Sequence, residues 1–83
     1  MSADKILKQV LSGAADASVR FDDLCSLFVR LGFETRTKGS HHVFRRKGIE
    51  EMINLQRDGK DAKPYQVKQV RSVILKNRLG DFE

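Results

Sequence analysis

Cysteine and proline are scarce in this chain, and each scarcity excludes a class of protein. One cysteine in 83 residues cannot form an internal disulfide, which excludes the disulfide-rich secreted scaffolds. One proline, with 40% hydrophobic and 33% charged residues, excludes collagen and is typical of a folded globular chain. No apolar run approaches the ~18 residues that span a bilayer, and no signal peptide is evident. We therefore expect a cytoplasmic protein that does not enter a membrane.

The length of the chain allows one small domain. Eighty-three residues lie well below the size at which chains split into separate cores, so we expect a single domain over residues 1–83. A chain of this size buries only roughly 60% of its unfolded surface. A shallow surface site is therefore expected rather than a deep catalytic cleft.

The positive charge is concentrated in the second part of the chain. Sixteen Lys and Arg against eleven Asp and Glu give a net charge of +5, and the two signs balance within residues 1–31. Residues 35–47 contain no acid and five bases, which are Arg36, Lys38, Arg45, Arg46 and Lys47. Such a patch attracts phosphate backbones, so it favours nucleic acid as a partner. A solvated charged surface is the alternative.

The spacing of apolar residues predicts two helices at the start of the chain. One covers residues 4–12, and the other has an apolar stripe that ends at Leu31. Gly32 provides the left-handed residue that stops the second helix, and Phe33 is placed to pack back on Phe28 in a Schellman-type stop.

After the second helix the hydrophobic period changes from 3.6 to 2. The alternation predicts strands over residues 33–37, 41–46 and 52–56, with the first half-buried, followed by an exposed loop over residues 57–63. Pro64 then begins a final helix. The order α-α-β-β-β-α predicts an α+β fold, a three-stranded antiparallel sheet with helices on one face. The other face of the sheet would stay uncovered.

Both histidines of the chain, His41 and His42, lie at the start of the middle strand and therefore point to opposite faces of the sheet. If Phe44 packs beneath the helices, His42 points inward and His41 is exposed. If Val43 packs there instead, His42 is the exposed one. We favour burial of the larger Phe44, and both histidines remain candidates for catalysis.

An exposed imidazole among basic side chains suits the cleavage of RNA. Imidazole changes its protonation near neutral pH, and RNA supplies its own nucleophile in the 2′-hydroxyl group. Residues placed to bind the phosphate are Arg36, Lys38, Gly39, Ser40, Arg45 and Arg46. The alternative is that two polar residues beside a turn have no chemical role.

A metal mechanism is not favoured by the sequence. The carboxylates lie on turns without a recognisable spacing, and two adjacent histidines on opposite faces cannot both bind one zinc ion. Cys25 adjoins the apolar stripe of the second helix and is predicted to be a structural thiol. We predict no metal and no cofactor.

The segment Gly-Ser-His-His-Val-Phe-Arg at residues 39–45, after Leu-Gly-Phe at 31–33, resembles the HicA family of bacterial toxins. The family signature is a Gly-Ser-His segment that opens the middle strand. Residues 53–56, and the basic final helix that follows Lys-Pro-Tyr at 63–65, look like those of one HicA branch. The resemblance covers about residues 21–78.

Residues 1–17 form an extra N-terminal helix and linker that typical short members lack. We expect this helix to complete the core, with a partner-binding role as the alternative.

The resemblance implies a fold like that of a double-stranded-RNA-binding domain. It also implies the toxin of a type II toxin–antitoxin system, a metal-independent endoribonuclease that cuts mRNA and stops translation. A HicB-type antitoxin would cover the histidine site. The catalytic histidine of the family corresponds to His41, or to His42 in members that carry it one place later, and Lys68 and Arg71 of the final helix join the RNA-binding residues. The alternative is a non-catalytic RNA-binding module of the same fold.

Overall fold

A computed structural model describes residues 3–57 and 59–79. The described residues form three α-helices, a short 3-10 helix over Asp16–Ser18 and one antiparallel sheet with strand order β1-β2-β3. The elements are α1 (Ala3–Ser12), α2 (Phe21–Arg30), β1 (Glu34–Lys38), β2 (His41–Arg45), β3 (Ile53–Gln56) and α3 (Pro64–Asn77). The predicted α+β class and the order α-α-β-β-β-α are confirmed.

The stop between α2 and β1 is the predicted Schellman motif. Gly32 has a φ of +89°, and its N–H donates to the Val29 carbonyl at 3.0 Å. The Phe33 N–H donates to the Phe28 carbonyl at 3.0 Å, and the rings of these two residues lie 4.8 Å apart in an edge-to-face contact. The motif turns the chain from the helix layer into the sheet.

The hydrophobic core lies between the helices and one face of the sheet. Phe44, Ile53 and Leu55 are buried on that face, and the ring of Phe44 stacks on Phe28 at 4.7 Å. Burial of each large apolar side chain contributes about 1.5–3 kcal/mol, so the contacts of Phe44, Ile53 and Leu55 with the helices stabilise β2 and β3. Helix α1 contributes buried residues to the same core, namely Ile6, Leu7 and Val10. The expectation that α1 completes the core is therefore confirmed.

Strand β1 differs from the prediction, because all five of its residues are exposed. The alternation of Thr35 and Thr37 with charged residues predicted a half-buried strand, and that prediction is wrong. The strand pairs only with β2, at the edge of the sheet, and short threonine side chains on its inner side add little to the core. The strand begins at Glu34 rather than Phe33, because the Phe33 N–H closes the helix stop.

The segment 57–63 is predicted to be an exposed loop. In the structure, backbone hydrogen bonds instead hold part of it beside α2. The Ala62 N–H donates to the Val19 carbonyl at 2.8 Å, and the Phe21 N–H donates to the Lys60 carbonyl at 2.9 Å. Ala62 is buried, whereas Arg57 and residues 59–61 are exposed. Asp58 lies outside the described residues. These hydrogen bonds bring Arg57 beside the start of α2.

Candidate functional site

The register of the sheet places alternate residues on the face that the helices leave uncovered. Phe44 is buried on the covered face, so His41, Val43 and Arg45 point to the other side. We call that side the outer face. Its residues on the three strands are Glu34, Arg36, Lys38, His41, Val43, Arg45, Asn54 and Gln56. The expectation that Phe44 is buried and His41 exposed is confirmed.

His41 lies in the middle of a row across the three strands. Lys38 of β1 is its partner on one side, and Gln56 of β3 is its partner on the other. Directly opposite side chains in such rows have Cβ atoms about 5 Å apart. In the next row Val43 lies between Arg36 and Asn54. The imidazole thus has an ammonium group on one side and a carboxamide on the other.

The basic side chains near the outer face have no ion-pair partners among the described residues. Arg36, Lys38, Arg45, Arg46 and Lys47 are all exposed, and none of them pairs with a described carboxylate. Three cations elsewhere in the described part of the chain pair with carboxylates, in the pairs Arg57–Asp22, Arg71–Asp16 and Lys76–Glu51, whereas others such as Lys8, Lys60 and Lys68 do not. Five unpaired basic side chains therefore lie on or beside the outer face, where they are available to phosphate groups.

The turn between β1 and β2 is open. Gly39 has a φ of +60°, and a Cβ placed on it would meet no described atom within 4 Å. Ser40 is exposed, and its carbonyl accepts the Arg57 N–H at 2.8 Å, which ties the turn to the end of β3. A polynucleotide backbone therefore has room to approach His41 from the turn.

A shallow groove of about 760 Å³ lies at the other end of the outer face. Its lining includes Arg36, Arg45 and Arg46, but also the carboxylates of Glu34 and Glu50. His41 does not line this groove. The groove carries charges of both signs, whereas the row of His41 contains no carboxylate.

His42 points to the helix side, where it is half-buried. Its ring meets the ring of Phe21 edge-on with centroids 5.0 Å apart, and its Nδ1 lies 3.4 Å from Thr37 Oγ1. The guanidinium carbon of Arg57 lies 4.6 Å from the same Phe21 ring, and Arg57 also pairs with Asp22. This cluster joins β2 and the end of β3 to the start of α2. His42 is thus a packed residue, and His41 is a solvent-facing one.

Lys68 and Arg71, predicted to bind RNA, are not brought to the outer face. Lys68 is exposed on α3, which packs on the covered side of the sheet. Arg71 Nη1 lies 2.9 Å from Asp16 Oδ1 and 3.1 Å from the Val10 carbonyl oxygen. The side chains of Arg71 and Asp16 are 22% and 13% exposed, so this pair fastens α3 to the end of α1 and the 3-10 helix. Neither basic side chain therefore lies on the outer face.

Asn54 and Gln56 are two outer-face residues that no sequence motif indicates. Both alternate with the buried Ile53 and Leu55 along β3, so they face away from the helices. The pairing of Gln56 with His41 depends on the register between β2 and β3, which the sequence alone does not define.

Cys25 is half-buried on α2 beside the core. Burial raises the pKa of its thiol to about 11, and the nearby Arg57 charge lowers it only in part. Among the described residues no three His, Cys, Asp or Glu side chains are grouped so as to hold a metal ion. No described helix combines the length and the apolar character needed to cross a membrane.

These features define a small basic α+β domain of the type found in double-stranded-RNA-binding domains, with an exposed histidine on its uncovered sheet face. The sequence model for the HicA toxin of bacterial toxin–antitoxin systems matches residues 21–77, more than half of the chain. The chain belongs to the HicA toxin family. Comparisons with curated proteins and with solved structures give no significant match. The match begins at α2, so α1 lies outside it.

Proposed function

We propose that this protein is the toxin of a type II toxin–antitoxin system and an endoribonuclease that cleaves mRNA in the cytoplasm, which inhibits translation. The observation that carries the proposal is the position of His41. Its exposed imidazole lies between Lys38 and Gln56, on a face whose basic residues have no described ion-pair partners. Membership of the HicA toxin family supports the same reading.

His41 acts as the general base in the cleavage step. The imidazole takes the proton of the RNA 2′-hydroxyl, whose oxygen attacks the adjacent phosphorus. The bond from phosphorus to the 5′-oxygen breaks, and that oxygen takes a proton from water. The products are a 2′,3′-cyclic phosphate and a 5′-hydroxyl end. The substrate provides the nucleophile, so the protein has only to move protons and stabilise charge.

The basic residues bind the phosphate and stabilise the negative charge that it gains. Lys38 is directly opposite His41, and Arg36 lies in the next row. The open turn of Gly39 and Ser40 lets the RNA backbone approach, and Arg45 and Arg46 extend the positive surface. These charges provide the stabilisation that a divalent cation gives in metal nucleases, so we propose a metal-independent reaction without a cofactor.

A HicB-type antitoxin is the proposed protein partner. The outer face carries His41 in an exposed position, so a protein that covers this face would exclude RNA from the imidazole. The five basic side chains without described partners favour a partner whose contacting surface is acidic.

A non-catalytic RNA-binding module of the same fold is the second candidate. The observation that favours it is the lack of a second histidine or a carboxylate beside His41 among the described residues. The outer-face carboxylate of Glu34 lies two rows away from the row of His41 on the same face. In this reading the outer face binds RNA and His41 only contacts phosphate or sugar.

The test compares the wild type, His41→Ala and His42→Gln with a purified mRNA in EDTA, with cleavage and binding measured on each. We expect the wild type to cleave, and His41→Ala to lose at least about 100-fold in rate with binding within about threefold. His42→Gln, the matched control on the covered side, should keep cleaving once it is shown to be folded.

Three results would overturn parts of this proposal. Salt-sensitive RNA binding without cleavage by the wild type would show that the protein is a non-catalytic RNA-binding module. Cleavage that stops in EDTA would show a metal enzyme. Loss of cleavage in folded His42→Gln, with His41→Ala still active, would place the base at His42.

A further inference from the structure

The three strands of the outer face carry different chemistry. β1 presents the cations Arg36 and Lys38 and, at its start, Glu34, and the central strand presents His41 with Val43 and Arg45. β3 presents only neutral carboxamides, Asn54 and Gln56. Neighbouring strands are about 4.8 Å apart, so in the row of His41 the backbones of Lys38 and Gln56 are separated by about 10 Å, with His41 between them.

This order fits one orientation of an RNA strand. In that orientation the phosphates contact the cations of β1, and the reacting 2′-hydroxyl contacts His41. The base attached to that ribose then projects over β3, where it meets Gln56 in the same row as His41. The arrangement therefore places a carboxamide beside the base next to the cleaved bond.

The backbone of Gln56 is fixed, while its side chain is free. The Gln66 Nε2 donates to the Gln56 carbonyl at 3.2 Å, and the following N–H, that of Arg57, donates to the Ser40 carbonyl at 2.8 Å. The carboxamides of Asn54 and Gln56 are exposed and have no hydrogen-bond partner among the described residues. Gln66, by contrast, is buried and uses its carboxamide to hold Gln56 and Lys63. Gln56 is thus positioned by the fold and has both hydrogen-bonding functions available.

We propose that Gln56, with Asn54 beside it, reads the base next to the cleaved phosphodiester and selects adenine in single-stranded RNA. This inference rests on the proposed function of the outer face. A carboxamide offers one donor and one acceptor side by side, which match the N6 amino group and the adjacent ring nitrogen of adenine. In an RNA duplex the base edges are hidden from a surface as wide as this sheet, so the substrate is a single strand or a loop.

Binding is measured first, in a His41→Ala background that leaves the RNA intact. The probes are short oligouridylates that carry one central A, C or G, with the all-uridine oligomer as reference. We expect the adenine oligomer to bind about tenfold more tightly than the reference. Gln56→Met should reduce that difference to less than about twofold, because Met keeps the length of the side chain and removes both polar groups.

Two further variants sharpen the test. Gln56→Glu keeps an acceptor and loses the donor, so the preference for adenine should fall, because the adenine ring nitrogen is left without a hydrogen-bond donor. Gln69→Met is the matched control, because Gln69 is an exposed glutamine on α3, away from the outer face. It should leave the tenfold preference unchanged.

Cleavage by the wild type is then mapped on a random-sequence RNA, and the outcomes separate the two proposals. Cleavage without a base preference, or with a preference that Gln56→Met leaves intact, would overturn base reading and leave the nuclease. Adenine-selective binding that Gln56→Met abolishes, with no cleavage by the wild type, would overturn the nuclease and leave base reading. A Gln56-dependent preference for another base would overturn the assignment to adenine.

Discussion

The imidazole of His42 meets the ring of Phe21 edge-on, with the two centroids 5.0 Å apart, while the neighbouring imidazole of His41 faces solvent. Two adjacent histidines are therefore used in different ways. His42 belongs to the packing that joins β2 to α2, where Arg57 contacts the same Phe21 ring. His41 is left available for chemistry because a strand turns successive residues to opposite faces.

The two histidines should therefore differ in their effect on stability. We expect His42→Ala to lower the free energy of unfolding by about 1–2 kcal/mol, through the lost ring contact and the space it leaves. His41→Ala removes an exposed side chain and should stay within about 0.5 kcal/mol of the wild type. Urea denaturation monitored by circular dichroism measures both. Equal losses in the two variants would contradict the assignment of His42 to the packing.

Arg36 and Lys38 should determine how strongly RNA binding depends on salt. Each cation that neutralises a phosphate of single-stranded RNA contributes about 0.7 to the slope of log K against log salt concentration. Arg36→Ala and Lys38→Ala should each reduce the slope by about that amount, because neither side chain has a described ion-pair partner that would compete. Lys68→Ala, on the helix side, serves as the control and should leave the slope unchanged. An equal reduction in Lys68→Ala would mean that RNA also contacts α3.

Much of this fold could be predicted from local sequence signals. The change of period after Gly32 separates helices from strands, and Gly32 with Phe33 defines the helix stop that the hydrogen bonds show. The face to which His41 points followed from the size of Phe44, since burial of the larger apolar side chain decides the register of β2.

The features that sequence did not predict depend on contacts between distant segments. The exposure of β1 depends on how far the helices extend across the sheet, which no pattern within Glu34–Lys38 encodes. In the sequence Arg71 does not differ from the other basic residues, whereas in the structure it pairs with Asp16, 55 positions earlier in the chain. Charge counts cannot distinguish a cation that holds the fold together from one that is free to bind phosphate.

The pair formed by Arg71 and Asp16 should be important for stability. The Arg71 guanidinium donates to both Asp16 carboxylate oxygens and to the Val10 carbonyl, at 2.9, 3.3 and 3.1 Å. Arg71→Ala leaves a largely buried carboxylate without its partner, so we expect the free energy of unfolding to fall by about 2–3 kcal/mol. Urea denaturation measures the loss. Lys76→Ala, which breaks the exposed pair with Glu51, is the control and should shift the midpoint far less. A larger shift for Lys76→Ala would contradict the view that the Arg71 pair fastens α1 to α3.

Cys25 should react slowly in the folded protein. Burial raises the pKa of its thiol to about 11, so at pH 8 about one thiol in a thousand is ionised, against about one in four at an ordinary pKa of about 8.5. We expect iodoacetamide to label the native protein at least about 100-fold more slowly than the protein unfolded in urea, with Cys25→Ala as the blank. Because the folded pKa lies above the unfolded one, the folded state holds this proton longer, and stability should fall as the pH rises from about 9 to 11. The Cys25→Ala variant should lose that part of the pH dependence. If the native protein is labelled as fast as the unfolded chain, the Cys25 thiol is exposed and ionised, which would contradict a pKa raised by burial.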